Sequence, residues 1–139
     1  MYLTQVTVGG SALRIDQEVI KREFARGGVF QRLLLGYTNA RLAQLSQRAV
    51  CNGRHRVEER LCTWLLMIHD RSIEDQLPLT HEEIARHLGA RRAGVTSYCN
   101  ALRDHGIIDY RRGSIRILDR RGLENKACEC YRMLKPTVE

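Results

Sequence analysis

The sequence predicts a mainly α chain with one small β-hairpin, an α+β fold, and three stretches predict it. Residues 29–55 carry apolar side chains at helical spacing throughout. Residues 80–105 read as two short helices about a turn at Gly89, and residues 107–118 as two β-rich arms around Arg111-Arg112-Gly113. The composition suits a folded, basic, soluble protein: 43% of the 139 residues are hydrophobic, and 23 Lys+Arg against 16 Asp+Glu give a net charge of +7. At about 100–200 residues per domain, this is one domain, or one small domain with an appended element, which disfavours a large layered enzyme scaffold. No apolar run reaches the roughly 18 residues of a membrane span, and the first ten residues lack a signal-peptide pattern, so a cytoplasmic chain without membrane association is expected.

In chain order, Tyr2–Val8 alternates apolar and polar residues as a short strand would, and Gly9-Gly10 separates it from a second run, Leu13–Ile15. Two strands make no stable sheet alone, so they must pair elsewhere or cover the next helix. Asp16 is a candidate N-cap for a short helix ending before Gly27-Gly28. The long helix from Val29 to His55 has one stripe at Leu35, Leu42, Leu45 and Ala49 and a second at Phe30, Leu33, Tyr37 and Ala40. Two apolar stripes need two surfaces to bury against, and a symmetry mate on the first makes it a dimerisation seam. Asn52-Gly53 marks a hinge. Val57, Leu61, Leu65 and Ile68, with Trp64, then line the inner side of a helix running to Asp70. A polar loop and the brief extended segment Leu77-Pro78-Leu79 follow.

Thr80 and Glu83 form a capping box that opens the next helix. Ile84 and Leu88 turn that helix inward, Ala85 is small where a second helix must cross closely, and Gly89 can take the left-handed conformation. Val95, Tyr98 or Cys99, and Leu102 anchor the second helix from beneath. This arrangement, followed by the arms Ile107–Tyr110 and Ser114–Leu118, is that of a winged helix-turn-helix, whose second helix enters the major groove while the hairpin approaches the flanking backbone. Between Thr80 and Ile117, seven arginines face four carboxylates. Twenty of the chain's 23 cations are arginine, which suits bidentate phosphate and guanine contacts, although a coding bias gives the same count. With the inward positions removed, the start of the second helix presents Arg91, Arg92, Ala93, Gly94, Thr96, Ser97 and Asn100. Arg92 is the candidate for a guanine, Thr96 or Ser97 for a base edge or thymine methyl, and Gly94 for close backbone approach. Arg91 and Arg112, with the helix start at Thr80 and His81, are candidates for phosphates.

Three segments, CNGRHRVEERLCTWLLMIHDR, LPLTHEEIARHLGARRAGVT and IIDYRRGSIRILDRRGLENKACECY, resemble the C-terminal half of the Crp/Fnr family of bacterial transcription regulators. The resemblance covers residues 51–131, and residues 11–50 are similar to that family's passage from its effector-sensing β-roll into the dimerisation helix. It implies residues 1–55 as remnant β-roll strands plus dimerisation helix, and residues 56–139 as the winged domain. It further implies a homodimer reading a two-fold symmetric site on double-stranded DNA, with RNA polymerase as a further candidate partner. Most of the β-roll is absent, so effector binding does not carry over. Many family members have a Glu beside the leading arginine of the recognition helix and an Arg four positions on. Ala93 and Ser97 stand there instead, so a different operator is expected.

The five cysteines, Cys51, Cys62, Cys99, Cys128 and Cys130, are odd in number and scattered, which indicates reduced thiols. A thiol- or metal-responsive regulator is one rival reading. Against it, a CxC pair on one helix points its sulfurs to different faces, and no CxxC or HxxxH is present, so no metal or other cofactor is expected. No catalytic motif is present, and the five histidines lack evident carboxylate partners, so an enzyme is not expected. A dimeric interaction module that has lost DNA reading is the remaining alternative.

Overall fold

Asp16 opens the first helix by accepting a hydrogen bond from the Glu18 amide at 2.8 Å, and Asp119 opens a later one by accepting from the Gly122 amide at 3.0 Å. The structure, a computed structural model, describes residues 6, 9–111 and 113–134. Helix α1 (Gln17–Ala25) ends at Gly27 and Gly28, both with positive φ, and α2 (Gly28–Arg54) runs 27 residues. Then come α3 (Val57–His69), β1 (Gln76–Leu77), α4 (His81–Leu88), α5 (Arg92–Asp104), β2 (Ile108–Arg111), β3 (Ser114–Ile117), α6 (Arg120–Lys126) and α7 (Cys130–Leu134). No helix among the described residues is long and apolar enough to cross a membrane.

The expected hinge at Asn52-Gly53 is not there. Helix α2 continues through both residues, and the break falls at His55 and Arg56, whose backbones are extended. A glycine costs a helix about 1 kcal/mol relative to alanine, and burial of neighbouring Cys51 against Cys128, Cys130 and Leu134 offsets that cost. The chain restarts when Glu59 accepts from the Arg56 amide at 2.8 Å. Of the two strands expected near the N-terminus, Tyr2–Val8 lies largely outside the described residues, and Leu13–Ile15 is exposed chain without strand structure. Among the described residues the second stripe of α2 meets no sheet, and Phe30, Leu33 and Tyr37 are exposed.

The core is built on α3. Leu61, Leu65 and Leu66 are fully buried against Ile84 of α4, Val95, Cys99 and Leu102 of α5, Ile108 and Ile115 of the sheet, and Leu123 of α6. These are the inward positions that helical and strand periodicity select. The hairpin β2–β3 pairs antiparallel from Ile108↔Ile117 to Arg111↔Ser114, one residue later on its first arm than predicted. The extended segment before α4 becomes a third strand, with Gln76↔Arg116 and Leu77↔Ile115 giving the order β1-β3-β2. Helices α6 and α7 are tied back to α3 through a polar knot. Arg120 donates to Asp70 at 2.6 Å and to the Tyr131 hydroxyl at 2.8 Å, and Tyr131 donates to Asp70 at 2.9 Å. His69 accepts from Arg120 through Nδ1 at 2.6 Å, which leaves its Nε2–H to donate to Asp75 at 2.8 Å.

Candidate nucleic-acid interface

The capping box at the start of α4 forms as its sequence requires. Thr80 Oγ1 accepts from the Glu83 amide at 3.2 Å, and the Glu83 carboxylate accepts from the Thr80 amide at 2.9 Å and its hydroxyl at 2.8 Å. Those bonds hold the Glu83 carboxyl below the usual carboxylate range. Gly89 closes the helix at φ 62°, a left-handed conformation that a Cβ would disfavour. The wing comes back to the same place: at Gly113, where φ is +83°, a Cβ would stand 3.3 Å from the Thr80 methyl. The start of α4, the start of α5 and the hairpin turn therefore lie on one surface.

On that surface Arg91 occupies the N-cap position of α5 without a side-chain capping bond, and Arg91, Arg92, Ala93, Ser97 and Asn100 are exposed. Among the described residues, no carboxylate pairs with Arg91, Arg92 or Arg86, whereas Arg111 is paired with Asp109 at 3.1 Å. Free guanidiniums beside the open amides of a helix N-terminus favour an anion. A Cβ at Gly94 would meet only Tyr98, at 3.8 Å, so internal packing does not demand glycine there. Arg112 lies outside the described residues.

Two predicted contact residues face inward instead. His81 is buried, stacks on Tyr110 with ring centroids 4.0 Å apart, and lies with Nδ1 3.0 Å from Thr96 Oγ1. Burial, then the charge of Arg92, lowers its pKa. Because Thr96 Oγ1 donates to the Arg92 carbonyl at 3.1 Å, it must accept from His81 Nδ1–H. The Nε2 acceptor meets no donor among the described residues. The hydroxyl of Thr96 is thus committed inside the protein, and His81 holds α4, α5 and the wing in register. The hydroxyl of Ser97 folds back to the Ala93 carbonyl at 3.2 Å.

The structure also assembles groups that sequence spacing did not. His87 stacks on Trp64 at 4.2 Å and accepts through Nε2 from Arg48 of α2 at 2.8 Å, and burial followed by the charges of Arg48 and Arg60 pushes its pKa down to about 4. Arg60 donates to the Leu88 carbonyl at 2.6 Å. These groups border a small cleft of about 100 Å³ between α2, α3 and α4. Nearby, Cys51, His55, Cys128 and Cys130 converge, their candidate ligand atoms all within 4.8 Å of one another. The sequence argument against a metal-type cluster fails on two points. Cys51 lies on the last turn of α2 and His55, four residues on, is the residue that ends it, and Cys128 lies in the non-helical link before α7, so the CxC pair does not ride one helix. Burial, and after it the hydrogen bond with Cys128, pushes the Cys51 thiol up to about 12.

A short helix, a tight glycine turn, a second helix with its start exposed, and an antiparallel wing define a winged helix-turn-helix protein. Residues 59–126 match the Crp-like helix-turn-helix domain, in line with the sequence resemblance to the Crp/Fnr family. Its fold is similar to that of FixK2 from Bradyrhizobium japonicum, with a TM-score of 0.75 at 20% identity over 82% of this chain and 60% of that one. A CRP-family transcriptional regulator from Thermus thermophilus aligns with a TM-score of 0.59 at 24% identity, covering 81% of this chain and 55% of its own. A CRP/FNR-family transcriptional regulator from the same organism aligns with a TM-score of 0.52 at 26% identity, covering 82% and 56%. The chain thus spans no more than 60% of the length of any of the three. Among curated proteins no sequence relative matches it.

Proposed function

We propose that the chain is a sequence-specific DNA-binding transcription regulator that acts as a homodimer on a two-fold symmetric operator. The observation that carries this reading is the exposed N-terminus of α5, where Arg91 and Arg92 stand without carboxylate partners beside the start of α4 and the wing. In this reading α5 lies in the major groove. Arg92 reads a guanine, Asn100 and Ser97 are in reach of base edges, and Gly94 lets the backbone come close. Arg91, Arg112 and the His81 amide at the start of α4 hold phosphates, whereas the Thr80 amide and hydroxyl, expected to share that role, are both taken by the Glu83 carboxylate. The dimer half of the proposal is supported by α2, where Leu35, Leu42 and Leu45 are about half exposed and Ala49 is exposed beside them. Residues 1–55 then serve assembly, and residues 56–139 serve recognition.

Selection from a random duplex library at about physiological salt tests the whole reading, since base contacts and symmetry both appear in the enriched sequences. The expected result is an inverted repeat with half-sites about one helical turn apart. Retained affinity without any enrichment would instead mark a chain that coats DNA, and absent or salt-independent binding a module that has lost this role. Within an enriched site, Arg92→Ala is expected to cost about 1–3 kcal/mol of discrimination at one base pair per half-site. Equal losses on specific and random DNA would remove Arg92 as the reader.

A further inference from the structure

A second small core sits apart from the main one and is made almost entirely of sulfur: Cys51, Cys128, Cys130 and Leu134, with Met67 against it. Apolar packing alone does not call for three thiols and a histidine facing one point. Nor does it call for what surrounds them. The Gln47 side-chain amide donates to Cys130 Sγ at 3.1 Å, and Thr63 Oγ1 lies 3.0 Å from Cys128 Sγ. Because Thr63 Oγ1 accepts from the Cys128 amide at 3.2 Å, its own proton is free for the sulfur. The two ring nitrogens of His55 each have a carboxylate close by, Glu59 at 3.8 Å and Glu129 at 3.5 Å. Whichever nitrogen turns to the cluster, an acidic group stands by the other, the outer-shell arrangement that orients metal-ligating histidines.

We propose that Cys51, His55, Cys128 and Cys130 form a four-ligand site for a zinc ion. Three thiolates and an imidazole are a tetrahedral donor set for zinc, and at a Zn–S distance of about 2.3 Å the sulfurs stand about 3.8 Å apart. Cys51 and Cys128 have their sulfurs 3.5 Å apart, and the remaining candidate donors, none more than 4.8 Å from another, need to close by about 1 Å at most. With all four positions supplied by protein the site is closed, and its role is structural. It pins the last turn of α2 and the residue that ends it to the segment leading into α7, across the break at His55 and Arg56. A disulfide between Cys51 and Cys128 is the competing use of these atoms, but it leaves Cys130 and His55 without a part. The site does not depend on the DNA-binding reading, so the two stand or fall separately.

The test is made on the full chain, purified under reducing conditions. Bound metal is measured, and zinc is then replaced by Co²⁺, whose visible spectrum reports tetrahedral thiolate ligation. The expected result is one zinc per chain and a cobalt spectrum with intense sulfur-to-metal bands. Cys128→Ser and Cys130→Ser are expected to weaken zinc affinity by at least about 100-fold, and Gln47→Ala by about 10-fold. Cys99→Ala, in the main core, should leave it unchanged. His55→Cys serves as the rescue variant: it should retain zinc and shift the cobalt spectrum toward an all-sulfur site, provided far-UV circular dichroism shows a folded chain. Less than about a tenth of an equivalent of tightly held zinc in the folded protein would overturn the proposal. So would equal losses in Cys99→Ala and Cys130→Ser, or a Cys51–Cys128 disulfide in air from a reduced form that takes up neither zinc nor cobalt.

Discussion

Helix α2 and helix α3 are neighbours in the chain and opposites in their environment. In 27 residues α2 buries only Cys51, whereas α3 buries seven of its 13. The difference shows where the folding free energy resides. The winged unit closes its own core around Leu61, Leu65 and Leu66, with helices and sheet on the surrounding faces. The long helix exposes Val29, Leu33, Leu35, Tyr37, Leu42 and Leu45, and isolated helices draw little stability from propensity alone. It acquires its environment from a second surface, which the proposed dimer supplies.

Four substitutions or conditions sharpen or break this contrast. The largest effect is expected at Leu61→Ala, which opens a cavity in a fully buried position and should cost about 2–5 kcal/mol in chemical denaturation. A loss below about 1 kcal/mol would show that α3 is not the centre of the core. Thr80→Ala removes the cap of α4 and should cost about 1 kcal/mol while loosening the surface that carries Arg91 and Arg92.

Acidification should act more weakly, through His87. Its folded pKa, about 4, lies below the ordinary value of 6.5, so the unfolded chain takes up a proton first as pH falls. Stability is then complete above about pH 6.5, declines between there and about 4, and is level below, as far as this residue is concerned. The residue as a whole remains partly open to solvent, which reduces the size of the decline. A His87→Gln chain should lose that part of the pH dependence in thermal melts. Last, Leu42→Gln with Leu45→Gln should change the unfolding of the winged unit by no more than about 0.5 kcal/mol, because both side chains are exposed in the single chain. The same pair should shift sedimentation from dimer to monomer; unchanged assembly would place the dimer seam elsewhere.

Local chemistry was legible from sequence wherever one segment determines itself. Thr80 with Glu83, the turn at Gly89, the inward set Ile84, Val95 and Leu102, and the wing to within one residue all follow from caps, periodicity and turn geometry. Features that depend on distant partners were not. Gln76-Leu77 becomes a strand only because Ile115 and Arg116 stand opposite, and two residues carry no periodicity of their own. The Cys51 and Cys128 sulfurs are 77 residues apart in sequence, so no spacing rule between neighbours could join them. The helix through Gly53 and the inward turn of His81 are cases of packing overriding local preference. In His81 the stacking surface of Tyr110 and the hydroxyl of Thr96 become visible only once the wing has folded back.

The unbroken course of α2 has a mechanical side. At 1.5 Å per residue its 27 residues make a rod about 40 Å long, so a tilt of about 5° at one end displaces the other by about 3.5 Å. With no flexible joint at Asn52-Gly53 to absorb it, such a tilt is delivered whole to the extended pair His55-Arg56. A displacement of that size equals one base-pair step along a duplex, about 3.4 Å. In the proposed dimer, a slight change of pitch between two such rods would therefore shift the recognition helices by about one base pair against their half-sites.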